Sequence, residues 1–320
     1  MSSELNRRTF IKQSIATSSG GLLALQAGAA GEAVAGKAVK QELPAGKIGD
    51  LKISRLLLGG NLLTHFTHSR DLRYVYNLTA HYNTNEKIIE TMAIAESHGI
   101  NTLVVHTVPN VMNVLKKYRY EQNGKMQWII CPTAPVDDQM VEYSAQVREI
   151  ADMGVDAVYL WGVRADQLVS QGRVDLIAKA IEVVRQYGIP SGVGAHDLKV
   201  ITECEKNMVD ADFYIKTLHH HNYPSAPKPN ELTEVHTEVP GYWCKDPKAV
   251  VDFMKTVEKP WIAFKVMAAG AIPPADAFRY AFESGADHVL AGMFDFEIAE
   301  DAQIAKTILS QVNRTRPWRS

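Results

Sequence analysis

The chain is 320 residues long and 46% hydrophobic, with 34 Lys+Arg against 36 Asp+Glu. That apolar share excludes an intrinsically disordered chain. Three cysteines exclude a disulfide-stapled scaffold, and the balanced charge gives no basic face for nucleic acid. No uncharged apolar run approaches the roughly 20 residues of a membrane-spanning helix, so no stable membrane anchor is expected in the mature form.

The first segment carries Arg7-Arg8-Thr9-Phe10-Ile11-Lys12, followed by a weakly apolar Gly/Ala/Ser stretch over 14–30. It resembles the bacterial twin-arginine export signal. Ala33-Val34-Ala35 is a small-residue cleavage site, with 27–29 as an earlier option. The resemblance implies the twin-arginine export machinery as a partner, export in the folded state, and a periplasmic or cell-envelope destination. The expected organisation is a signal over 1–35, a linker over 36–46, a main domain over 47–313 and a tail over 314–320.

In the main domain, short apolar runs alternate with amphipathic ones. Strands are predicted at 53–60, 102–107, 127–133, 157–161, 191–196, 213–219, 261–267 and 288–292, each apolar enough for a parallel strand buried on both faces. Helices are predicted at 85–98 with Thr84 as N-cap, then 110–120, 136–153, 174–187, 198–208, 247–257, 274–284 and 298–312. Cys131 falls in a strand and Cys204 in a helix, so buried free thiols are expected. Gly99, Gly154, Gly188 and Gly285 each stand where a helix should close before the next strand. Eight strand–helix alternations point to a single parallel (β/α)8 TIM barrel. A doubly wound open sheet fits less well, because Leu58-Gly59-Gly60-Asn61 does not continue as a dinucleotide fingerprint. The connections 61–84 and 220–245 are unusually long. In a barrel both lie at the active-site mouth, as lids or substrate walls.

Several strand phrases carry a family resemblance: 52–60 Lys-Ile-Ser-Arg-Leu-Leu-Leu-Gly-Gly, 95–102 Ala-Glu-Ser-His-Gly-Ile-Asn-Thr, 155–161 Val-Asp-Ala-Val-Tyr-Leu-Trp and 188–196 Gly-Ile-Pro-Ser-Gly-Val-Gly-Ala-His. Together they resemble the aldo/keto reductase superfamily, which implies the barrel. The family's Asp, Tyr, Lys and His tetrad does not follow. His106 stands where Asp would be and no Tyr comes after it. The third strand ends Ile130-Cys131-Pro132-Thr133, without the Lys, and the fourth Leu160-Trp161-Gly162, without the His. The resemblance therefore implies a divergent member, with NAD(P) demoted as cofactor.

Five of the eleven histidines stand at the ends of the second, fifth and sixth strands. His106, His196, His219 and His221 suit a Zn, Mn or Fe ion held by nitrogen and oxygen donors. His106, His196, Asp197 and Lys265 are the expected catalytic groups. Asn61, His68, Arg70, Arg164, His221 and Trp243 are expected to bind substrate. Alternation along 261–267 and 213–219 points Lys265 and Lys216 into the barrel, the setting of a Schiff-base nucleophile. The expected function is metal-assisted lyase or isomerase chemistry on a small oxygen-rich substrate: a sugar, keto-sugar or hydroxy acid. Three alternatives stand beside it: an NAD(P)-dependent reductase with a rebuilt site, a Schiff-base aldolase-type lyase using Lys265 or Lys216, and a non-catalytic sugar-binding protein.

Overall fold

The computed structural model describes residues 42–320, so the export-signal reading and the start of the linker lie outside the described residues. The predicted first strand is two strands. β1 (Ala45–Ile48) and β2 (Leu51–Ser54) form an antiparallel hairpin, and β3 (Leu56–Gly59) follows Arg55 as the first barrel strand. The others are β4 (Thr102–His106), β5 (Gln127–Cys131), β6 (Ala157–Leu160), β7 (Ser191–Ala195), β8 (Phe213–Thr217), β9 (Trp261–Phe264) and β10 (His288–Ala291). These eight pair in parallel and in chain order, and β10 closes on β3, so the barrel is complete.

Ten α-helices lie among the described residues. Eight correspond to predicted ones: α2 (Asn85–Ser97), α3 (Pro109–Lys116), α4 (Val141–Asp152), α6 (Val174–Arg185), α7 (Leu198–Lys206), α8 (Pro247–Met254), α9 (Pro274–Glu283) and α10 (Ile298–Leu309). Two are additional: α1 (Tyr74–Tyr82) inside the first long connection, and α5 (Gly162–Ser170) directly after β6. Thr84 caps α2 as expected, accepting from the Lys87 amide. Gly99, Gly154, Gly188 and Gly285 all take positive φ. None of the helices is long and apolar enough to cross a membrane. The three cysteines are free and buried.

Alternation sorts each strand into a lumen face and a helix face. Leu57, Val104, Ile129, Phe213, Ile215, Ile262 and Leu290 fill the lumen, with Ile48 and Ile53 of the hairpin closing its lower end. Gly192 leaves room for this filling: a Cβ there would stand 2.5 Å from the Phe213 ring.

This packing corrects the expected lysine directions. In β9 the bulky Ile262 and Phe264 pack inward and the small Ala263 packs with the helix layer. In β8 Phe213 and Ile215 point inward, while Tyr214 packs on the helix side. Lys216, next in that alternation, also leaves the lumen. Its Nζ donates to the His196 carbonyl at 2.8 Å, the Thr217 carbonyl at 3.0 Å and Thr217 Oγ1 at 2.8 Å. Large apolar side chains fill an eight-stranded lumen, but Tyr214 and Trp261 put equal bulk on the helix side, so bulk alone does not tell the two faces apart. Lys216 is a buried structural cation with no open approach.

The 314–320 segment, expected to be a tail, is built into the lower end of the barrel. Arg316 is 1% exposed and pairs with the fully buried Asp287 at 2.6 Å. It also donates to the carbonyls of Met254, Val257, Lys259 and Gly285. Asp287 in turn accepts the Trp261 amide at the start of β9. Without Arg316, Asp287 keeps the longer contact to Arg314 at 3.5 Å and the Arg319 amide, so the loss is that of buried hydrogen bonds rather than of an unpaired charge, about 1–3 kcal/mol. Arg316→Met should lower unfolding stability by that order in urea titration; a change under about 1 kcal/mol would contradict the clamp. Gly192→Ala should cost about 1–3 kcal/mol by crowding Phe213, measured in the same way.

Candidate active site

A cavity of about 410 Å³ opens at the C-terminal ends of the barrel strands. Its floor is the upper lumen: Val104, Tyr159, Phe264 and Leu290. Asn61, His68, His106, Trp243 and Lys265, all read from the sequence as site residues, line it.

Lys265 reaches the cavity by a route that strand alternation did not anticipate. β9 ends at Phe264, and Lys265 has φ of 57°, a left-handed conformation uncommon for a residue with a side chain. Ala268 and Ala269 share it, so the chain turns sharply off the strand. The turn carries the ammonium over the mouth. Nζ lies 5.4 Å from the Trp243 ring centre and 5.7 Å from that of Phe264. Burial disfavours the charged form and pushes the Lys265 pKa down to about 7, with Glu238 and Asp166 opposing the shift.

Two carboxylate–imidazole pairs stand around this amine. His68 Nδ1 bonds Glu238 Oε1, and the His68 ring tilts against Trp243 at 5.4 Å. Burial lowers the His68 pKa, with the Glu238 bond opposing. His196 Nδ1 bonds Asp166 Oδ2 at 2.7 Å, and its ring lies against Phe264 at 5.6 Å and His236 at 4.3 Å. Burial drives His196 well below an ordinary imidazole and raises Asp166. Burial also lowers His106, whose ring meets Phe66 edge-on. Three polar atoms of cavity-lining residues are buried without a hydrogen-bond partner: Thr67 Oγ1, Thr79 Oγ1 and Trp243 Nε1.

The far wall is acidic. Glu297 and Asp301 line it, and burial with Glu297 and Glu300 nearby raises Asp301 to about 7. Asp295, beside it, is held by Tyr82 Oη at 2.7 Å and by Lys87 Nζ at 3.1 Å.

Several expected site residues serve the framework instead. Asp197 is the N-cap of α7, accepting from the Lys199 amide at 2.9 Å, and it does not line the cavity. His219 spends both ring nitrogens on backbone: Nδ1 donates to the His220 carbonyl, and Nε2 accepts from the amides of Trp243 and Cys244. His221 Nε2 donates to the Cys244 carbonyl at 2.7 Å. These bonds pin the second long connection, so neither His219 nor His221 is a metal ligand and His221 does not reach the cavity. Among the described residues His106, His196, His219 and His221 form no convergent group; the set that converges is Asp166, His196 and His236. Arg164 pairs with Gln167 on α5, and Arg70 fastens the two long connections together through Ser225. Neither lines the cavity.

Asp166, His236 and Glu238 were not read as site residues. Asp166 sits on the unpredicted helix α5, and the other two sit inside a long connection. The spacing of His236 and Glu238, two apart on either side of Thr237, which bridges to Tyr242, was the available signal.

No family model and no curated protein matches the chain. Solved structures do. A putative aldo-keto reductase from Pseudomonas aeruginosa aligns at 15% identity and TM-score 0.53, over 85% of this chain and 99% of its own. An aldo-keto reductase from Bacillus halodurans aligns at 12% identity and TM-score 0.55, over 86% and 98%. A variant of Gox0644 solved with NADPH aligns at 10% identity and TM-score 0.54, over 86% and 95%. At these identities the likeness is one of architecture: the chain shares its (β/α)8 barrel with the aldo-keto reductases.

Proposed function

We propose that the chain is a barrel-mouth enzyme of carbonyl chemistry, with Lys265 as the reacting amine and lyase or isomerase chemistry as the outcome. The observation that carries this reading is the half-buried Lys265 amine, which lines a cavity large enough for a small substrate and is shifted to about 7. A lysine that sheds its proton near neutrality is a nucleophile toward carbonyls. The neutral amine adds to the carbonyl carbon, and the carbinolamine loses water to leave an iminium. That iminium accepts the electron pair of a neighbouring C–C or C–H bond. The proton released or required passes through His68, which Glu238 orients.

The walls favour a neutral, hydroxylated substrate. Glu297 and Asp301 line the cavity, where they accept hydroxyls and repel a carboxylate. A keto-sugar fits this better than a hydroxy acid. Export by the twin-arginine route to the periplasm or cell envelope is part of the same proposal, resting on Arg7-Arg8-Thr9-Phe10-Ile11-Lys12.

The competing reading is an NAD(P)-dependent oxidoreductase, favoured by the shared barrel and the NADPH-bound neighbour. The residues present do not fit that cofactor. Lys265 is the one Lys or Arg lining the cavity among the described residues, and the opposite wall is acidic. A pyrophosphate wants cations beside a helix N-terminus; the N-caps of α9 and α10, Pro273 and Glu297, do line the cavity, but Glu297 sets a carboxylate at one of them.

Borohydride reduction in the presence of small keto-sugars should give one adduct, mapped to Lys265 by peptide mass analysis, and none in Lys265→Met. Labelling should rise as pH passes through about 7, because the ammonium loses its proton there rather than near the ordinary 10.5. No adduct at Lys265, together with micromolar quenching of NADPH fluorescence, would favour the reductase.

A further inference from the structure

The strongest feature outside the chemistry of Lys265 is a three-residue cluster at the same end of the barrel. His196 follows β7, Asp166 lies on α5, and His236 belongs to the connection between β8 and α8. Each offers a donor atom within 4.8 Å of the other two. We propose that His196 and His236, backed by Asp166, form a binding site for a divalent transition-metal ion.

Asp166 has already committed its oxygens. Oδ1 accepts from the amides of His196 at 3.1 Å and Asp197 at 2.9 Å, and Oδ2 accepts from His196 Nδ1. The proton of His196 is thereby fixed on Nδ1 and its lone pair on Nε2. This is the carboxylate–histidine arrangement that orients metal-binding imidazoles. Among the described residues neither His196 Nε2 nor either ring nitrogen of His236 makes a hydrogen bond. The two rings face each other with centres 4.3 Å apart and planes inclined by 40°. Two neutral imidazoles with uncommitted nitrogens and a carboxylate beneath them suit Zn, Fe or Mn, with positions left open for a substrate oxygen or water. Lys265 is the neighbouring cation, and Asp166 and Glu238 offset its charge. The competing explanation is that the rings only pack together.

The site does not depend on the Lys265 reaction, and the two fail separately: trapping reads the amine, metal titration reads the imidazoles. The test uses the full chain, purified without a polyhistidine tag and stripped with a chelator. Cobalt(II) is titrated in, followed by zinc(II). The expected result is one equivalent of cobalt with visible d–d absorption, bleached by zinc, and a zinc-dependent rise in melting midpoint. His236 is half-buried and makes no hydrogen bond, so His236→Ala should fold, as circular dichroism will show. It should lose the absorption and the melting shift. Asp166→Asn should weaken binding about 10–100-fold, as loss of an orienting partner does. Less than about a tenth of an equivalent bound to the unsubstituted protein, or equal binding by His236→Ala, would overturn the proposal.

Discussion

The site is organised around one costly placement: an ammonium held in the cavity beside Trp243 and Phe264, with the charges of Glu238 and Asp166 acting on it through space. A buried charge is tolerated only when it is paired or neutralised. Glu238 and Asp166 attract the ammonium only through space, without a close ion pair among the described residues, so the fall of Lys265 to about 7 supplies the neutralisation. Each carboxylate is in turn held by an imidazole, Glu238 by His68 and Asp166 by His196. The two histidines come from different parts of the barrel. The amine therefore ties the first long connection, the second long connection, α5 and the end of β7 into one electrostatic unit.

The framework serves this unit in two ways. Above the strands, His219 and His221 anchor the second connection through backbone groups, and Arg70 ties it to the first. Trp243 and Glu238 are held in place as a result. Below the strands, the hairpin fills the lumen and Arg316 locks the last segment to Asp287. The polar chemistry is confined to the mouth because the lower lumen is sealed with apolar side chains.

The barrel was legible in the sequence because its signals are local: apolar strand runs, helical periodicity, and a glycine closing helix after helix. The cavity was legible in part. Asn61, His106 and Lys265 stand at or just beyond strand ends, and His68 and Trp243 stand in the two long connections, both places the sequence marks as the mouth. Lys265 was found for an incomplete reason, because alternation stops at Phe264 and a left-handed turn does the aiming. Lys216 obeyed alternation but with the opposite sense, since lumen bulk cannot be told from helix-face bulk in one strand. His219, His221 and Asp197 have the chemistry of ligands, yet backbone amides and carbonyls claim them. A sequence shows donor types and not which of them are already spent. Asp166 and His236 were missed because their convergence depends on an extra helix and a folded loop.

The shared barrel with aldo-keto reductases, set beside a site of different composition, fits the general independence of fold and chemistry. What decides between a rebuilt reductase and an amine-centred enzyme is the ionisation of one side chain. Lysines can be carbon-13 dimethylated and their methyl signals followed by NMR across pH, with Lys265→Met to assign the resonance. The account requires the Lys265 signal to titrate at about 7. Titration above about 10, as for a solvated lysine, would contradict it.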